Sequence, residues 1–207
     1  MTPKIKICGI TRKVDALYAA ALGVDALGFI FADSPRKVEP EVVRKISMTL
    51  PPFVSTVGVF VDTALDKVKY FATTCRLDWI QLHGKESPTD CADLGLPVLK
   101  AIRVKDMTSI QAMEPYKGFV GGFVLDTYVK GQKGGTGKTF DWALAQEAKQ
   151  YGPVILAGGL TPDDVDDAVQ QVSPYGVDVS SGVEIAPGIK DHDKIRRFLE
   201  RVRACTL

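Results

Sequence analysis

Few residues of the kind that hold metals or build disulfide frameworks occur in this sequence. Its 207 residues include two histidines and four cysteines, and no two cysteines form a Cys-x-x-Cys pair. The cysteines, Cys8, Cys75, Cys91 and Cys205, lie far apart in the chain. This spacing argues against zinc ligation and against a dense set of disulfides. We therefore expect reduced thiols, no bound metal and a cytoplasmic location.

Charge of one sign and long apolar runs are also missing. Lysine and arginine number 26 against 25 acidic residues, so the net charge of +1 gives no electrostatic basis for binding nucleic acid or an anionic membrane. The apolar runs are interrupted and of strand length, too short to span a bilayer. The first residues, MTPKIKICGITRK, contain no apolar stretch of signal-peptide length. We expect neither nucleic acid nor a membrane as a partner.

The sequence does contain a regular alternation of short apolar runs and amphipathic stretches. The eight runs that predict strands are KIKIC, DALGFIF, VSTVGVF, WIQLH, PVLKAI, FVGGFVLD, PVILAG and GVDVS. Alternating strands and helices predict a parallel α/β sheet, and eight units favour a closed (β/α)8 barrel of the TIM type over an open sheet. No linker or low-complexity segment interrupts the pattern, so residues 1–207 are expected to form a single barrel domain.

The glycine-rich stretch GQKGGTGKTF, residues 131–140, has the letters of a variant nucleotide-binding P-loop. A P-loop places its backbone amides directly between a strand and the following helix. Here the sixth predicted strand ends earlier, at Asp126, and Gln132 stands where the standard motif has its first glycine. We therefore interpret the stretch as a lid loop over the barrel mouth, with Thr139 capping the next helix.

A phosphate site is predicted from the loops after the seventh and eighth strands, LAGGLTP and SSGVE. Barrels commonly hold phosphate in these two loops, where glycines let backbone amides approach the oxygens and a helix N-terminus adds a favourable dipole. The loops after the third and fourth strands lack such a glycine pair, which favours a ligand with one phosphate. The predicted phosphate-binding residues are Gly158, Gly159, Ser180, Ser181 and Gly182.

Strand alternation places several polar side chains inside the barrel. Lys6 and Cys8 share the inner face of the first strand, Asp178 lies on the inner face of the eighth, and Asp126 ends the sixth. A thiol and a carboxylate at one mouth form an acid–base pair, and Lys6 would increase the thiolate fraction of Cys8. Cys8 could equally be a small buried apolar residue with a packing role, and Asp126 could be a capping or turn residue.

Further polar residues follow the second and fourth strands. Gln81 and His83 close the fourth strand, and Arg36 follows the second, after a proline that stiffens its loop. His83 fits a structural strand-end histidine as well as a catalyst. Arg36 is either a solvated surface charge or a residue that binds a carboxylate through two hydrogen bonds. The pattern alone leaves these alternatives open.

Eight segments in order carry a resemblance to a known family: KICGIT, FADSPR, QLHG, VLD, GGTGKTFDW, LAGGL, VDVSSGVE and PGIKD. Together they resemble the phosphoribosylanthranilate isomerases, and the similarity runs through the whole chain. The glycine-rich stretch is part of that similarity, which makes the P-loop letters coincidental.

The resemblance implies a cofactor-independent aldose–ketose isomerase of tryptophan biosynthesis, which is a monomer or a homodimer. Its substrate would be N-(5'-phosphoribosyl)anthranilate, a phosphosugar–anthranilate compound, and its reaction an Amadori rearrangement. Cys8 would be the general base, Asp126 the general acid and Arg36 the anchor of the anthranilate carboxylate. The remaining predicted substrate contacts are Gln81, His83 and Asp178.

Two other functions remain open at this level. The histidine-pathway isomerase catalyses the same rearrangement on a substrate with two phosphates, and would show paired glycine-rich loops and an aspartate where Cys8 stands. A nucleotide-driven ATPase or a non-catalytic binding module is the second alternative, and an ATP-binding titration would test it.

Overall fold

The computed structural model describes residues 2–126 and 142–205, and within them eight parallel strands close into a barrel. Each strand pairs with the next along the chain, and β1 also pairs with β8, which closes the sheet. This confirms the predicted (β/α)8 barrel. The strands are β1 Lys4–Ile7, β2 Ala26–Ile30, β3 Ser55–Phe60, β4 Trp79–Leu82, β5 Val98–Arg103, β6 Gly122–Asp126, β7 Val154–Ala157 and β8 Gly176–Val179.

Helices alternate with these strands. Their boundaries follow local signals: Pro40 begins α2, Ser87 caps α4 in a capping box, and Asp191 caps α8. No helix among the described residues is long and apolar enough to cross a membrane. The helices are α1 Lys13–Ala21, α2 Pro40–Ser47, α3 Leu65–Cys75, α4 Pro88–Ala92, α5 Met107–Gln111, α6 Trp142–Ala148, α7 Val165–Val172 and α8 His192–Ala204.

The main hydrophobic core lies between the barrel and its helices. Ile5 and Ile7 of β1 and Val177 and Val179 of β8 belong to it, as the alternation predicted. A smaller apolar cluster has the opposite strand parity and fills part of the barrel interior; its buried members are Val57, Leu99, Ala101 and Val124. Burying apolar surface stabilises the fold by about 25 cal/mol per Å². The polar side chains that remain inside therefore have to be matched by partners or by a ligand.

A short hairpin follows the eighth strand and precedes α8. It begins after a 3₁₀ turn at Ser181–Val183 and consists of β9 Glu184–Ala186 and β10 Ile189–Lys190, which pair antiparallel. Gly188 in its turn has φ +79°, and its carbonyl accepts a hydrogen bond from the Thr11 hydroxyl. The hairpin is thereby attached to the loop after β1, at the C-terminal mouth of the barrel.

Candidate active site

Cys8 lies directly after β1, and its thiol occupies space that a glycine provides. Its amide donates to the Val179 carbonyl at 2.8 Å, which extends the β1–β8 pairing to the barrel mouth. A Cβ at Gly28 would lie 2.7 Å from the Cys8 Sγ and 3.1 Å from the Lys6 Cε. Because a real side chain there would collide with both groups, Gly28 allows the thiol and the lysine to share the interior.

Lys6 and Asp178 form a buried ion pair beside this thiol. The Lys6 Nζ lies 2.7 Å from the Asp178 Oδ2, and both side chains are almost fully buried. Burial lowers the pKa of Lys6, but attraction to Asp178 and Cys8 outweighs it, so the pKa lies above its ordinary value. The lysine is therefore charged.

Burial and Lys6 have opposite effects on the pKa of the Cys8 thiol. Burial is the largest influence and raises the pKa of the thiol, while Lys6 acts to lower it. The net pKa lies above its ordinary value. Lys6 thus acts in the expected direction, and burial, which the sequence does not reveal, sets the net pKa above its ordinary value.

Asp126 and His83 come together at the mouth, from β6 and the end of β4. The His83 Nε2 and the Asp126 Oδ2 are 3.3 Å apart, and each side chain is about one-fifth exposed. One strand, β5, separates their two strands in the barrel. Asp126 therefore points into the mouth, where it reaches a second polar group.

Four buried side-chain atoms have no hydrogen-bond partner among the described residues. Two are at the end of β4, Gln81 Oε1 and His83 Nε2, and the latter lies close to Asp126 without forming a hydrogen bond to it. The other two are at the end of β8, Asp178 Oδ1 and Ser180 Oγ. A buried polar atom without a partner costs about 1–3 kcal/mol, so each needs an explanation. All four residues were predicted from the sequence to bind substrate or phosphate, and a ligand rich in hydroxyl groups would satisfy them.

The loops after β7 and β8 are in close contact. Gly158 and Gly159 both have left-handed backbone, with φ of 87° and 79°. A Cβ at Gly182 would lie 1.9 Å from the Leu160 carbonyl oxygen, whereas one at Gly159 would meet nothing within 4 Å. Gly182 thus permits the contact between the loops, and Gly159 leaves open space beside it. The predicted phosphate residues are therefore brought together.

Arg36 is held at the mouth by Glu184. Its Nε donates to the two Glu184 oxygens at 2.9 and 3.0 Å, and its Nη2 donates to Oε2 at 2.7 Å. The side chain crosses Gly9, where a Cβ would lie 2.7 Å from the Arg36 Cδ. These contacts rule out a freely solvated surface charge.

Glu184 and Lys190 were not assigned to the site from the sequence. Lys190 is buried, and its Nζ donates to Glu184 Oε1 at 2.9 Å, to the Ser180 carbonyl at 3.2 Å and to the Cys8 carbonyl. Burial raises the pKa of Glu184, but hydrogen bonds from Arg36 and Lys190 outweigh it and leave the pKa below its ordinary value. Glu184 lies in the SSGVE segment and Lys190 in the PGIKD segment. Strand alternation does not reach them because they lie in the hairpin.

Within residues 2–126 and 142–205, no group of three or more His, Cys, Asp or Glu side chains could hold a metal ion. The stretch 131–140, predicted to be a lid loop, lies outside the described residues. All four cysteines are free thiols.

A closed (β/α)8 barrel with titratable groups and unpaired polar atoms at the C-terminal ends of its strands defines a TIM-barrel enzyme. Residues 5–201 match the family described as N-(5'phosphoribosyl)anthranilate (PRA) isomerase. The N-(5'-phosphoribosyl)anthranilate isomerase of Geotalea uraniireducens is 55% identical over 201 residues, which cover 97% of this chain and 98% of that protein. The chain therefore belongs to the PRA isomerase family, and the resemblance seen in its sequence is confirmed.

Solved structures agree with this assignment. The phosphoribosyl anthranilate isomerase of Thermotoga maritima superposes with a TM-score of 0.91 at 41% identity, covering 98% of this chain and 99% of that one. A phosphoribosyl anthranilate isomerase in complex with reduced 1-(o-carboxyphenylamino)-1-deoxyribulose 5-phosphate gives 0.88 at 38% identity with the same coverage. A third structure, with a TM-score of 0.87 at 38% identity and again the same coverage, concerns monomers generated from the Thermotoga maritima isomerase, which is described as dimeric.

Proposed function

We propose that this chain, acting as one barrel domain without a cofactor, converts N-(5'-phosphoribosyl)anthranilate to 1-(2-carboxyphenylamino)-1-deoxyribulose 5-phosphate in tryptophan biosynthesis. The observation that carries the proposal is the position of Cys8 and Asp126, which follow or end strands at the same mouth of the barrel. An aldose-to-ketose shift needs one acid and one base and no redox step. The full-length match to the family supports the same reaction.

In the proposed mechanism, Asp126 donates its proton to the ring oxygen of the ribose, and the ring opens to a Schiff base. Cys8, as thiolate, then removes the proton from C2. The resulting enolamine tautomerises to the ketone, in which C1 gains a proton and the 2-hydroxyl group loses one, so substrate and product are isomers. Proton exchange with solvent then returns the carboxyl group and the thiolate to their starting forms. The buried Lys6 beside Cys8 stabilises the thiolate while the proton is being transferred.

The remaining predicted residues would bind the two ends of the substrate. Arg36 would hold the anthranilate carboxylate, while Gln81, His83 and Asp178 would bind the sugar through the unpaired atoms described above. The phosphate would lie between the loops after β7 and β8, where backbone amides at left-handed glycines can converge on an anion. The predicted phosphate contacts are Gly158, Gly159, Ser180, Ser181 and Gly182.

A fluorescence assay tests the proposed function directly. The purified protein is expected to consume N-(5'-phosphoribosyl)anthranilate, followed as loss of its fluorescence, with unchanged activity after treatment with a chelator. The histidine-pathway substrate with two phosphates serves as the comparison and is expected to react far more slowly. Preferred turnover of that compound, or ATP hydrolysis without isomerisation, would contradict the proposal.

Arg36→Met is expected to raise KM about 10- to 100-fold and to leave kcat within about threefold. A hydrogen bond to a charged group contributes about 1.5–3 kcal/mol, and a carboxylate anchor acts mainly in ground-state binding. Glu184 keeps Lys190 as a partner in this variant, so no carboxylate is left unpaired. Steady-state kinetics measure the effect, and Arg44→Met, at an exposed position of α2, is the control. An unchanged KM would remove Arg36 from the site.

We further propose that the chain forms a homodimer through the loop between α2 and β3. Phe53 in this loop is fully exposed and has φ +72°, a costly backbone conformation for a bulky residue. Burying a phenylalanine side chain contributes about 1.5–3 kcal/mol, so a second copy of the chain would relieve this exposure. The loop precedes β3 and thus lies at the end of the barrel opposite the active-site mouth.

Sedimentation velocity tests the dimer. The wild type is expected to sediment as a dimer at micromolar concentration, and Phe53→Ser as a folded monomer with normal turnover. Tyr70→Ser, which removes an exposed aromatic ring from α3, is the control and should keep the dimer. A monomeric wild type, or a dimeric Phe53→Ser variant, would contradict this assembly.

A further inference from the structure

Glu184 lies at the centre of a charge network that joins Arg36 to the backbone of Cys8. Its carboxylate accepts hydrogen bonds from the guanidinium of Arg36 on one side and from the Lys190 Nζ on the other. Lys190 also donates to the carbonyl of Cys8, next to the thiol, and to the carbonyl of Ser180. The proposed carboxylate anchor and the proposed base are therefore connected by a short series of direct contacts.

The geometry of the Arg36–Glu184 pair leaves one edge of the guanidinium available. An arginine side chain carries five N–H donors in a rigid plane. Glu184 binds the side edge formed by Nε and Nη2. No residue in 2–126 or 142–205 accepts a hydrogen bond from Nη1, so among these residues nothing occupies the end edge formed by Nη1 and Nη2, which suits a second carboxylate. Bidentate binding of a carboxylate requires that this edge be correctly oriented.

The backbone beneath Arg36 confines the side chain further. A Cβ at Gly9 would lie 2.7 Å from the Arg36 Cδ and 2.9 Å from the Ser180 Oγ. The alkyl part of Arg36 is thus packed directly over the loop after β1, with its head group fixed by Glu184. Rotation of the guanidinium requires that the contacts to Glu184 break.

We propose that Glu184 is a positioning residue that turns the open edge of Arg36 toward the substrate carboxylate, and that Lys190 sets this arrangement relative to Cys8. The inference rests on the proposed function, because it assumes that the substrate carries a carboxylate at this end. Glu184 itself makes no contact with the substrate. It acts through Arg36, by holding the guanidinium in one orientation before the substrate arrives.

Charge and orientation predict opposite effects when Glu184 is neutralised. Glu184 is an anion next to the place proposed for another anion, so on charge alone its removal would strengthen carboxylate binding. If its main effect is orientation, its removal frees the Arg36 side chain, and carboxylate binding becomes weaker. The sign of the change therefore distinguishes a positioning residue from a simple counter-charge.

Glu184→Gln is the first test, since it keeps the shape of the side chain and removes its charge. We expect KM for N-(5'-phosphoribosyl)anthranilate to rise about tenfold, with kcat within about threefold. The dissociation constant of the reduced product analogue should rise about as much by calorimetry. A matched analogue that lacks the ring carboxylate should bind both forms of the protein equally, because it does not use Arg36.

Glu184→Asp is the second test and keeps the negative charge near Lys190. The side chain is one methylene shorter and cannot hold both Nε and Nη2, so the same carboxylate-specific loss is expected. In an Arg36→Met background, Glu184→Gln should add no further loss, because the two residues act as one unit.

The control is Glu86→Gln, which alters a comparable buried pair outside the barrel. Glu86 Oε2 lies 2.7 Å from the Lys100 Nζ, and both side chains are almost fully buried. This variant should lower the melting temperature without changing the ratio of affinities for the two analogues.

Three results would overturn the inference: tighter or unchanged carboxylate binding in both Glu184 variants, an equal loss for both analogues, or additive losses with Arg36→Met. If Glu184→Gln does not fold, Glu184→Asp decides by the same criteria. If the wild type turns over the substrate and one of these three results is found for the variants, the inference is wrong but the proposed function stands. A wild type that neither turns over the substrate nor binds the analogues overturns the proposed function together with the inference.

Discussion

Cys8→Ala is expected to lower kcat by at least about 10²-fold while the folded protein still binds the reduced product analogue. A positioned base contributes about 10²- to 10⁴-fold to a proton transfer, and alanine has no group that could accept the C2 proton. The substitution removes one buried sulfur atom at the mouth, so the barrel should remain folded. Cys8→Ser should also be a poor enzyme, because a hydroxyl group is a far weaker base than a thiolate.

The pH dependence of kcat/KM is an independent test of Cys8 as the base. The base must be deprotonated to act, so kcat/KM should increase as the pH rises through the pKa of Cys8. Burial raises that pKa above its ordinary value, which places the rising limb on the alkaline side. The limb should disappear in Cys8→Ala.

A thiol-alkylating reagent should also inactivate the wild type, and bound product should slow the loss. Burial raises the pKa of Cys75 to about 11 and also raises those of Cys91 and Cys205, as it does for Cys8, so protection by bound product is the result that assigns the loss to Cys8. Near-full turnover in Cys8→Ala would show that Cys8 is a packing residue and that another group is the base.

Asp126→Asn is expected to lower kcat by at least about 10²-fold, again with the product analogue still bound. Asparagine has nearly the same shape as aspartate but cannot give a proton to the ring oxygen, so ring opening should become limiting.

His83→Gln is the matched comparison, since it removes the ring that lies 3.3 Å from Asp126 and leaves the acid in place. Its loss of kcat should be clearly smaller than that of Asp126→Asn. A loss as large as that of Asp126→Asn would place the acid on His83 or on the pair.

The barrel could be predicted from the sequence because its strands are short apolar runs at regular intervals. Period-two alternation also predicted the inner face of β1 and β8, and the Lys6–Asp178 pair confirms it. These signals are local, since each depends on residues close together in the chain. The predicted polar residues at the ends of β4 and β8 lie at the same mouth for a related reason, because all the parallel strands end there.

Contacts between distant segments could not be predicted in this way. Nothing near Arg36 in the chain indicates that Glu184, 148 positions away, binds it. Lys100 lies on the outer face of β5, where alternation predicts an apolar side chain. Its burial is possible because its ammonium group donates hydrogen bonds to Glu86 and to the Gly84 carbonyl. The direction of the net pKa shift of Cys8 could not be predicted from the sequence either, since it depends on a degree of burial that only the closed barrel provides.

The pairing of β1 with β8 has a consequence for the order in which the protein is made. Cys8 leaves the ribosome well before Asp178 and Lys190, which lie beside it in the finished barrel. Until those residues arrive, Cys8 is an ordinary thiol in a nascent chain, with a pKa near about 8.5, and Lys6 has no aspartate to pair with. The environment of this proposed base therefore does not build up gradually during synthesis but arises when β1 pairs with β8, and chains in which this pairing is missing carry a thiol more open to oxidation than that of the closed barrel.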